Sequence, residues 1–126
     1  MHKLDDQNIY AALDPSRLGA RIAALPGQCG EAWQQISQAE LPGFPQPQNQ
    51  VVICGMGGSA IAGDLASDLA AVQGSVPVLV VRDLHLPFSL TERTLFLACS
   101  YSGNTEETLA LLDQAAKTNA RILAIS

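Results

Sequence analysis

The stretch "VVICGMGGSAIAGD", residues 51–64, decides the architecture. Val51 to Cys54 form a short apolar run rich in β-branched residues, the composition of a buried strand. Three glycines follow within four residues, at 55, 57 and 58, and a helical pattern begins at Ser59. A strand that turns tightly into a helix brings free backbone N–H groups and the positive end of a helix dipole to one point. Such a point binds anions, phosphate above all. Gly57 and Gly58 allow the backbone to approach a ligand closely, and Ser59 can cap the helix or donate its hydroxyl to a phosphate oxygen. Gly63, one turn on, predicts close packing of the helix on the sheet.

Downstream the pattern alternates. Ile61, Leu65, Leu69 and Val72 recur at helical spacing, "PVLVV" (77–81) and "TLFLACS" (94–100) read as strands, and "RILAIS" (121–126) reads as another. "NTEETLALLDQAAKT" (104–118) reads as a helix capped by Asn104 or a neighbour, with Glu107 in capping-box position and Leu109, Leu112 and Ala116 turned inward. Apolar runs without polar alternation imply strands covered on both faces, hence an α/β fold with a parallel sheet between helix layers. Upstream, "DPSRLGARIAAL" (14–25) predicts an amphipathic helix with Asp14 as N-cap and Pro15 at its first position, stopped by Pro26 and Gly27. A second helix is predicted over 30–40, with Trp33 and Ile36 on one face, and "LPGFPQPQNQ" (41–50) reads as an extended connector. The chain therefore divides into N-terminal helices and connector (1–50) and a ligand-binding part (51–126).

Composition narrows the function. Of 126 residues 48% are hydrophobic and 15% charged, enough apolar material for a packed core. A net charge of -5, with the seven basic residues scattered, argues against a nucleic-acid partner. No apolar run approaches a membrane span of about 20 residues, and "MHKLDDQNIY" is too polar for a signal peptide, so a cytoplasmic location is expected. Cys29, Cys54 and Cys99 lack metal-binding or disulfide spacing, and Cys54 and Cys99 read as buried, reduced thiols. Neither a zinc site nor a disulfide framework is suggested.

"SYSGNTEETL" (100–109) also joins a strand to a helix, so it belongs on the same sheet edge as the glycine-rich turn. Ser100, Ser102 and Thr105 offer hydroxyl donors, and neither loop contains Lys or Arg. Neutral dipoles of this kind can ring a phosphate. The same residue types serve as ordinary caps and turns. "GMGGSA" also fits the dinucleotide pattern G-x-G-x-x-A, with Asp83 after a second strand, but Asp83 lies beyond the usual spacing of about 20 residues and has Arg82 beside it. Glu106 and Glu107 suit the helix N-terminus, and His2 and His85 are given no chemistry.

"GMGGSAIAGD" followed by "SYSGNTEETL", with "ALPGQCGEAW" upstream, resembles the sugar isomerase (SIS) domain of the bifunctional phosphoglucose/phosphomannose isomerases. The resemblance implies a flavodoxin-like fold that binds the phosphate of a sugar phosphate through Ser59, Ser100, Ser102 and Thr105, with Gly57 and Gly58 on the approaching backbone. It implies interconversion of glucose 6-phosphate or mannose 6-phosphate with fructose 6-phosphate through a cis-enediol, without metal or nucleotide, and a homodimer. Proteins of this kind are longer and carry two such domains. The chain is thus expected to be the N-terminal part of one, with the carboxylate base and histidine outside it, and no catalytic residue is assigned. A non-catalytic phosphosugar-binding or sensing module, and a nicotinamide-binding domain, are the alternative readings.

Overall fold

Parallel strands place both glycine- and hydroxyl-rich loops at one edge of a four-stranded sheet. The computed structural model describes residues 7–40, 43, 47–74 and 76–126. The chain separates into two compact units, residues 1–43 and 44–126.

The first unit comprises α1 (Gln7–Leu13) and α2 (Leu18–Gln38). Here the structure departs from the sequence reading, because one 21-residue helix replaces the two expected and runs through Pro26. Pro26 lacks the N–H that would bond the carbonyl one turn back, a cost of about 3 kcal/mol that continuous helix on either side must offset. The helix also starts late: Pro15 lies in a turn, and Arg17 holds the N-cap position with φ 56°. Asp14 still serves the helix start, its carboxylate accepting from the N–H groups of Leu18 (2.7 Å) and Gly19 (2.8 Å). Those two bonds hold its pKa below the ordinary 3.8. None of the α2 side chains is buried. Half of the 41–50 connector, residues 41, 42 and 44–46, lies outside the described residues.

The second unit holds β1 (Gln50–Cys54), α3 (Gly57–Gln73), β2 (Val78–Val81), β3 (Thr94–Cys99), α4 (Glu106–Ala116) and β4 (Arg121–Ile125). All strand pairs are parallel, in the order β2-β1-β3-β4. This is the beginning of the flavodoxin-like order, as expected. Right-handed crossovers from β1 to β2 and from β3 to β4 run in opposite directions, so α3 and α4 cover opposite faces. On the α4 face, Val52 and Cys54 of β1 stand beside Phe96 and Ala98 of β3, under Leu111 and Ala115. Burying Phe96 and Leu111 completely stabilises this layer by about 1.5–3 kcal/mol each.

Two features of packing differ from the periodicity. The inward residues of α4 are Thr108, Leu111 and Ala115; Leu109 and Ala116 are exposed and Leu112 half-buried, a rotation of one residue from the expected phase. On α3 the buried positions are the small Ala60 and Gly63, while Ile61, Leu65, Leu69 and Val72 stay exposed. Small residues let α3 sit close: a Cβ on Gly63 would stand 3.1 Å from Ile53 Cγ2 and 3.2 Å from Val80 Cγ2. Residues 82–93 cross from β2 to β3 without a helix, inserting Leu90 into the core with Leu86 and Phe88 against it. Gln114 of α4 fastens this crossing, accepting from the Leu86 N–H (3.0 Å) and donating to the Leu84 carbonyl (2.7 Å).

Candidate functional site

Cys54 and Ala98 are register partners at the ends of β1 and β3, so the two loops emerge side by side. The crossovers leave these neighbouring strands in opposite directions, which makes the gap between them the topological switch point where α/β sheets bind ligands. Contact between the loops is tight. A Cβ on Gly55 would lie 2.9 Å from the Cys99 carbonyl oxygen and 3.2 Å from Ser59 Cβ, so only glycine fits this turn. Gly57 adopts φ 51°, the left-handed conformation glycine takes at least cost. Met56 occupies the N-cap position of α3 and no side chain caps the helix, leaving first-turn N–H groups at Gly57 and Gly58 to face solvent or a ligand.

In the second loop the hydroxyls converge. Ser100 Oγ lies 2.9 Å from Thr105 Oγ1 and 3.5 Å from Ser102 Oγ, and Ser102 Oγ lies 3.4 Å from Thr105 Oγ1. The loop is shaped by the Gly103 N–H donating to the Ser100 carbonyl (3.1 Å), with Gly103 at φ 67°, and by the Asn104 N–H donating to Ser102 Oγ (3.3 Å). The Ser100 N–H donates to the Ile125 carbonyl (2.9 Å), tying the loop to β4. Ser100 is buried, Thr105 half-buried and Ser102 exposed, so the cluster runs from the core to the surface. Thr105 stands at the N-cap of α4 but makes no side-chain capping bond, and Glu107 closes no capping box. Its hydroxyl is engaged with the two serines instead.

Ser59 and Ser100 line a common cavity of about 290 Å³, with Ala62, Cys99, Tyr101, Ile125 and Ser126 completing its walls. Of the six residues expected to contact phosphate, the structure thus brings Ser59 to Ser100 across the cavity, and Ser102 and Thr105 to Ser100 within the loop. Gly57 and Gly58 lie in the exposed first turn of α3. Tyr101, which sequence reasoning passed over, joins this wall; its place between two clustered serines was the available signal. Asp83, the residue on which a ribose contact would depend, turns its carboxylate to the adjacent Leu84 N–H (2.6 Å), and Arg82 pairs with Asp64.

Electrostatically the cavity is neutral. Cys54, at the end of β1, is buried, and desolvation pushes its thiol up to about 11. Burial also raises Cys99 above its ordinary value. Both thiols are therefore protonated at neutral pH and offer no nucleophile. Among the described residues no group of three or more His, Cys, Asp or Glu could hold a metal ion, and no helix is long and apolar enough to cross a membrane.

No family model matches the chain. It is 39% identical over 102 residues to a bifunctional phosphoglucose/phosphomannose isomerase of Caldicellulosiruptor bescii, a match covering 81% of this chain and 30% of that protein. Proteins of the same name from Thermoplasma acidophilum and Aquifex aeolicus are 45% identical over 78 residues and 44% identical over 70 residues. Those matches cover 62% and 55% of this chain, and 24% and 22% of the relatives. The resemblance read from the two motifs is therefore present, and it is to part of these isomerases: the chain spans less than a third of the length of the curated relatives it matches.

Proposed function

We propose that this chain binds the phosphate of a sugar phosphate at the β1/β3 switch point, as the phosphate-binding part of an aldose–ketose isomerase. The substrates would be glucose 6-phosphate or mannose 6-phosphate and fructose 6-phosphate. The observation that carries this reading is the meeting of Ser59 and Ser100 in one cavity, with Ser102 and Thr105 gathered on Ser100 and no cation in either loop. In the structure the three hydroxyls of the second loop satisfy one another, so they are already assembled where phosphate oxygens would replace those mutual bonds. The N–H groups of Gly57 and Gly58 and the positive end of α3 add donors without a titratable group. Hydrogen bonds to a charged acceptor are worth about 1.5–3 kcal/mol each, which makes a neutral cradle sufficient.

In such an isomerisation a general base moves a proton between C1 and C2 of the open-chain sugar through a cis-enediol. The role of this chain would be to anchor the distant phosphate and so fix those carbons, since orientation alone supplies a large part of such a barrier. No Asp, Glu or His side chain is among the residues that line the cavity. That same observation favours a second reading, a phosphosugar-binding or sensing module without catalysis. We also propose a homodimer, which the resemblance implies, and a cytoplasmic location.

Thermal melts with fructose 6-phosphate, glucose 6-phosphate, inorganic phosphate and NAD test the reading. A ligand at 100 times its Kd stabilises by about 2.7 kcal/mol. Sugar phosphates should raise the melting temperature and NAD should not, and Ser59→Ala with Ser102→Ala should diminish the shift while preserving the fold. Unchanged affinity in the double variant would reduce these serines to caps. Turnover by the chain alone would eliminate the sensing module.

A further inference from the structure

Tyr101 lies between Ser100 and Ser102, whose hydroxyls stand 3.5 Å apart. Tyr101 is 97% exposed, yet it is among the residues that line the cavity shared by Ser59 and Ser100. Beyond those two serines the walls are Ala62, Cys99, Ile125 and Ser126, of which Ile125 is itself 60% exposed. The walls thus set three serines in mainly apolar surface, with no charged side chain among them. A volume of about 290 Å³ accommodates roughly ten water molecules, several times what one phosphate group fills. Space remains for a carbon chain, and what it would meet there is an aromatic face and aliphatic groups.

We infer that Tyr101 is the specificity wall of this site, packing against the carbon chain of a phosphate monoester whose phosphate is held by the Ser59 and Ser100 hydroxyls, so that the site selects organic phosphates over inorganic phosphate. The inference rests on the phosphate-binding reading above. Sugar C–H groups carry slight positive charge and suit the negative face of an aromatic ring, while the sugar hydroxyls keep their water through the open side. Stacking on an already exposed ring also removes apolar surface from water without displacing any protein contact.

The experiment is calorimetric titration of the full chain, its Tyr101→Ala variant and its Tyr101→Phe variant with fructose 6-phosphate and with inorganic phosphate. Because the ring is exposed, all three proteins should melt at the same temperature. Tyr101→Ala should weaken fructose 6-phosphate about tenfold and leave inorganic phosphate within twofold, and Tyr101→Phe should restore the sugar phosphate affinity. Equal loss for both ligands, no loss for either, or a Phe variant as weak as the Ala variant would each overturn the wall while leaving the phosphate cradle standing. Failure of the unaltered chain to bind either ligand would overturn the cradle, and the wall with it.

Discussion

Replacing Gly55 by alanine tests whether the two loops are in obligatory contact. The added Cβ would stand 2.9 Å from the Cys99 carbonyl oxygen, 3.2 Å from Ser59 Cβ and 3.3 Å from the Ser59 carbonyl carbon. Carbon–oxygen contacts settle at about 3.3–3.6 Å, so the end of β3 must withdraw by some tenths of an ångström. Two of the three obstructing atoms are backbone, one terminating a paired strand and one in the first turn of α3, and neither can swing aside as a side chain tip would. Overpacking of this kind costs about 1–3 kcal/mol. For a unit of this size, 2 kcal/mol corresponds to a fall in Tm of roughly 8–16 °C. Gly58→Ala is the matched control, since a Cβ there meets nothing within 4 Å and φ is not positive. It should be neutral or stabilise by about 0.4–1 kcal/mol through the unfolded chain. Urea unfolding of both variants, followed by circular dichroism, gives the two free energies with an unchanged m-value. Gly55→Ala losing less than about 0.5 kcal/mol, or no more than Gly58→Ala, would refute the argument that the turn is locked against β3.

Two other measurements follow from ionisation. The Asp14 carboxylate has a lowered pKa, so its support of the α2 start is complete above the ordinary 3.8 and is lost as pH falls through the lowered value. The Leu18 and Gly19 amide resonances should hold steady from neutral pH to about 4 and move only in stronger acid, and Asp14→Ala should abolish that acid step; amides indifferent to both would mean the carboxylate does not serve them. Among the thiols, exposed Cys29 should react with a disulfide reagent at pH 8 well before buried Cys54, whose thiol is held at about 11. Cys54 labelled as fast as Cys29 in the folded protein would show that the end of β1 opens.

The sheet was legible because its strands are unbroken apolar runs bounded by glycine or polar turns, and the strand-to-helix turns at Gly55–Ser59 and Ser100–Thr105 placed both motifs on one edge. Long-range geometry was not legible. In α4, apolar residues at 109 to 112 satisfy two helical phases equally, and only the fit of Leu111 against the sheet decides between them. In α3 the largest apolar side chains suggest a buried stripe, whereas close approach to Ile53 and Val80 selects glycine and alanine for the inner side. Pro26 carries a local stop signal that the surrounding helix overrides. The Gln114 fastening joins residues some thirty positions apart and leaves no local trace. At the site, residue types announced hydroxyls and free amides, but which hydroxyls converge, and that Tyr101 joins the cavity wall, depends on the loop path set by Gly103 and the Ile125 carbonyl.

On the proposed function, the phosphate cradle has no lysine or arginine and acts only at touching distance. A cationic site draws an anion inward through solvent, and added salt weakens that pull. Here the long-range field comes from a chain of net charge -5, which opposes an approaching phosphate monoester. Counterions at 0.15 M confine that field to a Debye length of about 8 Å. Capture by this surface should therefore quicken as ionic strength rises, while the grip of the hydroxyls, exerted at hydrogen-bond range, is left nearly as it was.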